Sequence, residues 1–498
     1  MSLAPPPLPP VDEPTPHDLR IDWRFLLADE DLGRVALHGP VDRRDRVALA
    51  SHADIVGKLG DPDLTPHDVA VLIDPTAVIL RRAIDGLAPG GAIHIEHSAR
   101  RRRRGVRKVL TEAGFDTSTW WHRPSISDTR CLVALDRPDS AATVLQKVAG
   151  RGRRTPFEVL LARHGRVARW ADDVSILAVR PEVWSKHAIA SPGGDRIAAL
   201  VTPRYAASRA VIGVATARAG DRLARVAKVA RNRADDGLLA NEADLLDRFT
   251  ATVGPDAAVP LHHHLTATGG RMVLVEDAAP GEPLDRRAVR HDRDGALLAG
   301  IAWMGKVPVS SPTEVRYDGR AAALIAAPLQ AIGAAAWQDP AERDELVERA
   351  TEALQPLADA TLPAPFEHGD FSHPNLFRQP DGTLIAIDWE LAQPAGLPLH
   401  DLVFYVGYLA ESVERPRTPA RLVEAHRQAL GPGGWARTAV DHHLAALGID
   451  GNLLPQLVLS CWTRRLATLP PERVLGSSDP HRYETLWRAS LAAAEEHR

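Results

Sequence analysis

The stretch HGDFSHPNLFRQPDGTLIAIDWE at residues 368–390 constrains this chain more than any other part of its sequence. It places Asp370, Asn375 and Asp388 close together along the chain. The apolar run TLIAI predicts a strand, and Asp388 stands where that strand stops, so its carboxylate can face a cleft. The stretch therefore forms either a site at which three polar side chains converge or a set of polar loops around one strand.

The spacing of these three residues suits phosphoryl transfer from ATP. HGDFSHPN fits the pattern H-x-D-x-x-x-x-N, in which an acid precedes an Asn by five residues. Phosphoryl transfer needs an acid that receives the proton of the acceptor hydroxyl and oxygen ligands for Mg²⁺. Asp370 can be that acid, and Asn375 and Asp388 can be the ligands. The plainer interpretation is a helix cap followed by a turn, because Asp and Asn favour both.

Length, charge and cysteine content limit the class of protein. A chain of 498 residues predicts two domains or more. With 60 basic and 64 acidic residues, the net charge of -4 gives no overall reason to expect a nucleic acid or a membrane partner. The two cysteines, Cys131 and Cys461, offer neither a disulfide framework nor a CxxC metal site, which suits a reducing compartment.

The start of the chain carries no targeting signal. MSLAPPPLPPVDEPTP lacks a basic end followed by an apolar run, and no apolar stretch of about eighteen residues occurs in the sequence. We therefore expect a cytoplasmic protein with a disordered, proline-rich leader at residues 1–18.

Residues 19–140 predict an α/β domain. RVALHG and DVAVLID are typical of buried strands, and AVILRRAIDGL predicts an amphipathic helix that ends at the turn Pro89–Gly91. AIHIEH is then a strand, VRKVLTEAGF a helix and RCLVALD another strand. Strands and helices in alternation indicate a parallel sheet of the Rossmann-like type.

This order resembles the second half of class I S-adenosylmethionine-dependent methyltransferases. Such enzymes need a glycine-rich turn after the first strand and an acid at the end of the second. The candidate turn here, LHGPVDRRD at residues 37–45, holds a single glycine, Gly39, which Pro40 follows. We therefore predict a methyltransferase-like domain that is non-catalytic.

The remainder of the chain predicts a bilobal enzyme. Residues 141–180 lack a clear strand rhythm and are expected to form a helical connection. VSILAVRPEVW, RIAALVTPRY, AVIGVATA, RLARVAKVA and RMVLVED are strand candidates, and DDGLLANEADLLDRFT is a helix. We expect a small sheet-rich lobe at 181–280, a large helical lobe at 281–498, and a cleft between them.

Several of these segments together resemble the aminoglycoside phosphotransferase and choline kinase-like family, relatives of the protein kinases. The matching pieces are HGDFSHPN, IDWE, VAKVA, NEADLL and VLVEDAAPGEPL, within residues 181–498. The resemblance implies an α+β protein-kinase-like fold that uses ATP and Mg²⁺.

The resemblance also implies roles for individual residues. Asp370 would be the catalytic acid-base residue, Asn375 and Asp388 would hold Mg²⁺, and Lys228 would bind the α- and β-phosphates. Glu242 would orient Lys228 through an ion pair, and the alternative for Glu242 is ordinary helix-dipole complementation. The hinge that holds adenine through backbone groups would be the segment Glu276, Asp277 and Ala278.

Lysine usage supports the role of Lys228. Only six of the 60 basic residues are lysines, so a Lys marks a position where a compact ammonium is needed. The apolar frame VAKVA would bury an unpaired charge at considerable cost. One departure from the kinase pattern is the stretch TPRYAASRAVIG, which has no glycine before Gly213 and leaves Ser208 a weak candidate for a phosphate contact.

Three residues are candidates for contact with the acceptor. His373 lies within HGDFSHPN, Glu390 is the last residue of IDWE, and Asp401 lies in LPLHDLVFY. Asp401 can equally cap the helix that follows it, and His373 can equally be a hydrogen-bonded loop residue. We expect Arg100–Arg104 to form a solvated loop and His262–His264 to lie in a loop beside a strand.

The function predicted from the sequence is ATP- and Mg²⁺-dependent transfer of a phosphate to a hydroxyl of an aminoglycoside-, amino alcohol- or sugar-like small molecule. Three alternatives remain open: a pseudoenzyme scaffold that binds a protein partner through its N-terminal domain, a bifunctional methyltransferase-kinase, and a peptide Ser/Thr kinase.

Overall fold

A computed structural model describes most of the chain. The described residues are 18–27, 31–41, 46, 49–50, 52–97, 100–123, 130–147, 171, 174–181, 197–202, 209–217, 222–231, 233–254, 263–268, 271–469 and 473–497. Nearly all of the predicted leader, Ser208 and His262 lie outside the described residues.

The chain divides into two compact units. The first comprises Met1–Ala240 and His262–Ala278, and the second comprises Asn241–Leu261 and Ala279–Arg498. In the described residues no helix has the length and apolar character needed to cross a membrane.

A twelve-stranded sheet organises the first unit, in the order β11-β12-β10-β9-β8-β6-β5-β7-β4-β3-β1-β2. Its strands are β1 Arg34–His38, β2 Ile55–Lys58, β3 His67–Ile73, β4 Leu87–His97, β5 Asp116–Arg123, β6 Arg130–Ala134, β7 Val174–Val179, β8 Ile197–Thr202, β9 Ala210–Thr216, β10 Leu223–Ala230, β11 His263–Thr268 and β12 Arg271–Asp277. The helices that begin in this unit are the 3₁₀ helix Asp18–Leu26, α1 Ala77–Asp85, α2 Arg100–Glu112, α3 Pro138–Lys147 and α4 Asp236–Val253.

The first part of this sheet is parallel, as the alternation of strands and helices predicts. β1 pairs in parallel with β2 and β3, and β3 pairs in parallel with β4. Between β3 and β4, α1 begins where Thr76 accepts a hydrogen bond from the Ile79 N–H, and it ends at Gly86. Leu80 and Ala83 of α1 are buried in a core cluster with Leu72, because apolar residues three and four apart lie on one helix face.

Two sequence expectations fail within this region. Pro89–Gly91, expected as a turn, lies inside β4, where the pairing with β3 shifts register between His67 and Val69. Glycine at Gly90 tolerates the positive φ of 82° that this irregularity requires. Arg100–Arg104, expected as a solvated loop, form the first turns of α2, because a run of Arg has good helix propensity.

The position of β7 also differs from the sequence expectation. VSILAV, a strand candidate inside the segment 141–180 that was expected to be a helical connection, lies between β4 and β5 and is antiparallel to both. Its six residues are all buried, and part of the segment expected to be a helical connection is therefore a central strand. A short apolar run shows that a strand is buried but does not show which neighbours it pairs with.

The sheet does not stop at the predicted domain boundaries. β6 pairs with β8 in antiparallel register, Cys131 opposite Val201, so that strands of the predicted first domain and of the predicted small lobe share one sheet. This pairing satisfies two strand edges that would otherwise expose unpaired backbone groups. The domain limits inferred from sequence stay predictions, and the hydrogen-bonded sheet runs across them.

The second unit is mainly helical. Its helices are α5 Arg286–His291, α6 Arg293–Met304, the π-helical turn Ala322–Ala326, α7 Ala327–Ala334, α8 Pro340–Ala358, α9 His400–Glu414, α10 Pro419–Leu430, α11 Arg437–Ala446, α12 Leu454–Ala467 and α13 Arg482–Glu496, with short 3₁₀ turns His373–Asn375 and Gly451–Leu453. Its strands are β13 Glu282–Pro283, β14 Val309–Glu314, β15 Thr361–Pro365, β16 Leu376–Arg378 and β17 Leu384–Ala386.

Aromatic side chains pack at the centre of the second unit. Trp389 is fully buried and its ring centroid lies 4.6 Å from that of Phe249 and 4.7 Å from that of His368. Trp303 packs on Phe371 with the ring centroids 4.4 Å apart. These contacts fix the segments around residues 368 and 388 against the helices, because large rings bury extensive apolar area.

The central position of β7 gives a stability prediction. Ile176 in β7 is 0% exposed, whereas Ile55 in β2 is 50% exposed. Ile176→Ala should lower the free energy of unfolding by about 2–5 kcal/mol, because it leaves a cavity in the core. Ile55→Ala, the matched control, should lower it by less than about 1 kcal/mol. Urea unfolding of the full chain measures both, and equal effects would contradict a central β7.

Candidate functional site

The loop that carries Asp370 begins with a glycine that no other residue could replace without strain. Gly369 has a φ of 81°, and a Cβ atom placed there would lie 2.2 Å from the carbonyl oxygen of Leu391. Only glycine combines that φ with such a close backbone approach. The H-G-D order of the sequence therefore has a structural cause.

Both carboxylate oxygens of Asp370 are held. Oδ1 accepts a hydrogen bond from Nη2 of Arg465 at 3.2 Å, and Oδ2 accepts one from Nδ2 of Asn375 at 3.0 Å. The side chain is 23% exposed. The carboxylate is thus oriented by protein groups while part of it remains accessible to a substrate.

A hairpin places Asn375 and Asp388 at the same end of two strands. β16 pairs with β17 with Leu376 opposite Ala386, and the N–H of Ile387 donates to the carbonyl of Asn375 at 3.0 Å. Asp388 follows directly, with a φ of 72°. A non-glycine residue in this region costs about 1–3 kcal/mol, and such strain tends to occur at functional sites.

The donor set at this hairpin end fits Mg²⁺. Because Nδ2 of Asn375 donates to Asp370, its Oδ1 is the atom that remains for a cation. Asp388 is half-buried and supplies carboxylate oxygens. Within the described ranges, no group of three or more His, Cys, Asp or Glu side chains could hold a metal ion. Two oxygen ligands are nevertheless sufficient for Mg²⁺, which takes its other ligands from phosphates and water.

Asp401 has a role that neither sequence interpretation anticipated. Its carboxylate accepts the backbone N–H groups of His368 at 2.7 Å and of Gly369 at 2.9 Å. Burial, followed by the neighbouring Glu367 carboxylate, raises the pKa of Asp401, and the two N–H donors oppose that rise. It is only 9% exposed and anchors the loop, and the N-cap position of α9 is Leu399, so Asp401 is not the cap. Its contact with the acceptor stays a prediction.

Glu367 and Arg464 form a buried ion pair beside that anchor. The Arg464 guanidinium binds both oxygens of Glu367, at 2.7 and 2.5 Å, and Nε2 of His400 lies 3.8 Å from Glu367. Burial alone would raise the pKa of Glu367, but the Arg464 guanidinium outweighs it and lowers that pKa. Burial, then Arg464, lowers the pKa of His400 to about 3, so the imidazole is neutral at neutral pH.

The other acceptor candidates differ in exposure. His373 is 3% exposed, and its Nε2 forms a 2.6 Å hydrogen bond with Oγ of Ser412. Burial, then Arg286, lowers its pKa to about 4. It is therefore a hydrogen-bonded loop residue, and its contact with an acceptor stays a prediction. Glu390 is exposed and remains a candidate for contact with the acceptor.

Glu242 contacts the segment that follows Asp388. Its Oε1 accepts the backbone N–H of Trp389 at 3.0 Å, and the residue is 1% exposed. Glu242 therefore helps to fix the backbone next to the predicted metal ligand. Its predicted ion pair with Lys228 stays a prediction.

In the first unit, Lys228 lies beside Glu276. The ammonium of Lys228 on β10 is 3.6 Å from the Glu276 carboxylate on β12, and both side chains are buried. Asp277 lies opposite Arg225 in the same strand pair. The N–H of Ala278, predicted to contact adenine, donates to the carbonyl of Ala224 at 3.0 Å. The Ala278 N–H is therefore already used within the sheet.

Sequence reasoning missed three charged residues of the site: Glu367, Arg464 and Arg465. One signal was available, because two adjacent Arg residues interrupt the mainly apolar segment LPQLVLSCWTRRLA. Buried charges are usually paired, so such a pair predicts acidic partners. The sequence does not show which carboxylates these are.

The anchor formed by Asp401 can be tested by a single substitution. Asp401→Asn offers one acceptor oxygen to two N–H groups, so one buried donor loses its partner and the free energy of unfolding should fall by about 1–3 kcal/mol. The matched control is Asp441→Asn, which removes only a half-exposed ion pair with Arg437 and should cost less than about 1 kcal/mol. Urea unfolding measures both. If the two variants unfold at the same urea concentration, the anchor role is wrong.

The chain is similar to several proteins of known structure. Among solved structures, similar folds include a Plasmodium vivax ethanolamine kinase (8% identity, covering 63% of this chain and 87% of that chain, TM-score 0.38). They also include a glucosamine kinase in complex with glucosamine, ADP and inorganic phosphate (16% identity, covering 57% and 78%, TM-score 0.35). An aminoglycoside phosphotransferase from Alicyclobacillus acidocaldarius is similar as well (18% identity, covering 57% and 89%, TM-score 0.31).

Those three similarities are too weak to support an inference about function. No curated protein sequence matches the chain. The model of the Phosphotransferase enzyme family matches residues 208–440. That range contains Lys228, Asp370, Asn375 and Asp388, so the match agrees with the resemblance found in the motifs. By this match and by their motifs, residues 208–440 are similar to the Phosphotransferase enzyme family.

Proposed function

We propose that this protein transfers the γ-phosphate of ATP, in the presence of Mg²⁺, to a hydroxyl group of a small molecule. The observation that supports this most is the position of Asn375 and Asp388 at one end of the β16–β17 hairpin, with Asn375 bonded to Asp370. This is the arrangement of acid and oxygen ligands that phosphoryl transfer requires.

Asp370 is the proposed acid-base residue. The acceptor oxygen forms a bond to the γ-phosphorus, the bond from that phosphorus to the bridging oxygen of ADP breaks, and the hydroxyl proton passes to Asp370. A positioned carboxylate of this kind contributes about 10²- to 10⁴-fold. Asn375 and Asp388 would hold Mg²⁺, which neutralises charge on the phosphates.

The nucleotide contacts proposed in the first unit are Lys228 and the segment Glu276 to Ala278. The ammonium of Lys228 is buried and has a carboxylate partner in Glu276, 3.6 Å away. Because the Ala278 N–H is bonded within the sheet, adenine would have to use another backbone group of this segment or displace that bond.

We propose an aminoglycoside-, amino alcohol- or sugar-like acceptor. Of the three acidic or imidazole candidates, only Glu390 is exposed, and it follows the predicted metal ligand by two residues. An exposed carboxylate near the reacting hydroxyl favours an acceptor that carries hydrogen-bond donors or an ammonium group. His373 and Asp401 are both buried and bonded within the protein, so exposure favours Glu390 among the three candidates.

An acceptor screen by ADP release tests the proposed activity. Wild-type protein with ATP and Mg²⁺ should release ADP in the presence of at least one small hydroxyl compound of these classes. Asp370→Ala should lower kcat about 10²- to 10⁴-fold with little change in ATP affinity, whereas Asp388→Asn should also weaken Mg²⁺-dependent ATP binding. Asp381→Asn, on the exposed turn of the same hairpin, is the matched control and should retain activity.

The outcomes separate the alternatives. ATP binding without ADP release for any acceptor would favour a pseudoenzyme scaffold. ADP release that occurs only when a peptide is present would favour a peptide Ser/Thr kinase. Equal loss of ATP binding in Asp370→Ala and Asp388→Asn would contradict the separate roles of the two acids.

For the first unit, we propose that the methyltransferase-like part does not use S-adenosylmethionine. A cavity of about 540 Å³ opens at the ends of β1 and β2, where a cofactor would bind in such a domain, and His38, Gly39, Arg46 and Lys58 are among its lining residues. β2 ends at Lys58, not at the acid that would bind the cofactor's ribose.

This proposal predicts that S-adenosylmethionine does not bind. Calorimetric titration of the full chain at millimolar cofactor should give no saturable heat, because an ammonium replaces the carboxylate that the ribose hydroxyls need. ATP with Mg²⁺ serves as the positive control on the same sample. Saturable binding of S-adenosylmethionine that survives saturation with ATP would revive the bifunctional alternative.

A further inference from the structure

Arg465 of α12 contacts both the backbone and the side chain of the loop that carries Asp370. Its Nη1 donates to the carbonyl of Gly369 at 2.9 Å, and its Nη2 donates to Oδ1 of Asp370 at 3.2 Å. A single planar guanidinium therefore bridges two consecutive residues of the loop. Lysine, with one nitrogen at its tip, has no equivalent fork.

The guanidinium of Arg465 is itself held in place. It lies over the ring of Phe404, with 4.1 Å between its central carbon and the ring centroid, and over Tyr483 at 5.4 Å. Nη2 also donates to the Tyr483 hydroxyl at 3.4 Å. The side chain is 9% exposed. Burial alone would lower the pKa of Arg465, but Asp370 and Tyr483 raise it, so the group stays charged.

Arg465 and Asn375 each donate a hydrogen bond to a different oxygen of the Asp370 carboxylate. Arg465 takes Oδ1 and Asn375 takes Oδ2, so rotation of the carboxylate about its χ angles would break at least one of these bonds. The adjacent Arg464 binds Glu367 on the other side of His368. Two consecutive residues of α12 therefore fix the chain before and after His368.

We propose that Arg465 is a positioning residue for phosphoryl transfer, which sets the orientation of the Asp370 carboxylate before the acceptor binds. This inference rests on the proposed function. Arg465 acts through Asp370. The guanidinium uses one lone pair of Oδ1, and Asn375 uses one lone pair of Oδ2. The acceptor hydroxyl can therefore approach only the lone pairs that remain. Orientation of a reacting group in this way can account for about 10²-fold in rate.

A purely stabilising role is the alternative. A buried ion pair is weak evidence for stability, because the cost of removing both charges from water offsets most of their attraction. The experiment therefore has to separate loss of orientation from loss of folded protein.

The test compares Arg465→Met, Arg465→Lys and Arg488→Met in ADP-release assays with the full chain. Arg488 is the matched control, since it is a half-buried arginine of α13 paired with Glu342 and Glu484 and has no contact with the loop among its described bonds. Arg465→Met should lower kcat about 10- to 100-fold with KM for ATP changed less than about threefold. Arg465→Lys should recover part of that loss, and Arg488→Met should match wild type.

A double-mutant cycle supplies the readout that a stabilising role would not affect. In an Asp370→Asn background, Arg465→Met should lower the residual rate by less than about threefold, because the oriented carboxylate is already absent. A residue that merely maintains the fold would lower the rate by the same factor in both backgrounds, and that result would overturn the proposal.

Further outcomes decide the remaining cases. If wild-type protein releases no ADP with any acceptor, the proposed function fails and the inference falls with it. If wild type is active and Arg465→Met keeps full kcat, only the inference fails. If neither Arg465→Met nor Arg465→Lys folds, as judged by thermal unfolding, Arg465 serves the stability of the unit and the positioning role is wrong.

Discussion

The carboxylate of Asp401, which accepts the backbone N–H groups of His368 and Gly369, is the interaction on which the geometry of the site depends. It fixes the chain immediately before Asp370, at a glycine whose φ of 81° lies in the left-handed region. Backbone groups buried in this way must be bonded, and a carboxylate that accepts two of them defines one loop conformation. This anchor fixes the backbone from which the Asp370 side chain projects.

Charges of both signs surround that anchor at low exposure. Glu367 pairs with Arg464, Asp370 with Arg465, and a neutral His400 lies against Glu367. Each of these groups would be costly alone, so the cluster is stable only when complete. Such a network is rigid, and it holds the loop that carries Asp370 in one conformation.

The hairpin β16–β17 brings together Asn375 and Asp388, the two proposed Mg²⁺ ligands. The register of the strands sets Asn375 beside Ile387, and the positive φ of Asp388 turns the chain there. Glu242 then accepts the next N–H, that of Trp389, and Trp389 is buried among aromatic rings. The strained residue is thus held on its carboxyl side by a hydrogen bond and by packing.

The sequence alone was sufficient for the parts of the protein that depend on local spacing. The strand before Asp388 and the parallel strands of the first unit follow from apolar runs, whose periods reflect backbone geometry. Tertiary structure decided which segments became neighbours: β7 between β4 and β5, β6 beside β8, Asp401 under the loop, and Arg465 on Asp370. The physical reason is that pairing between buried charges, or between strand edges, depends on proximity in space, and residues as far apart as 370 and 465 leave no periodic trace of that proximity in the chain.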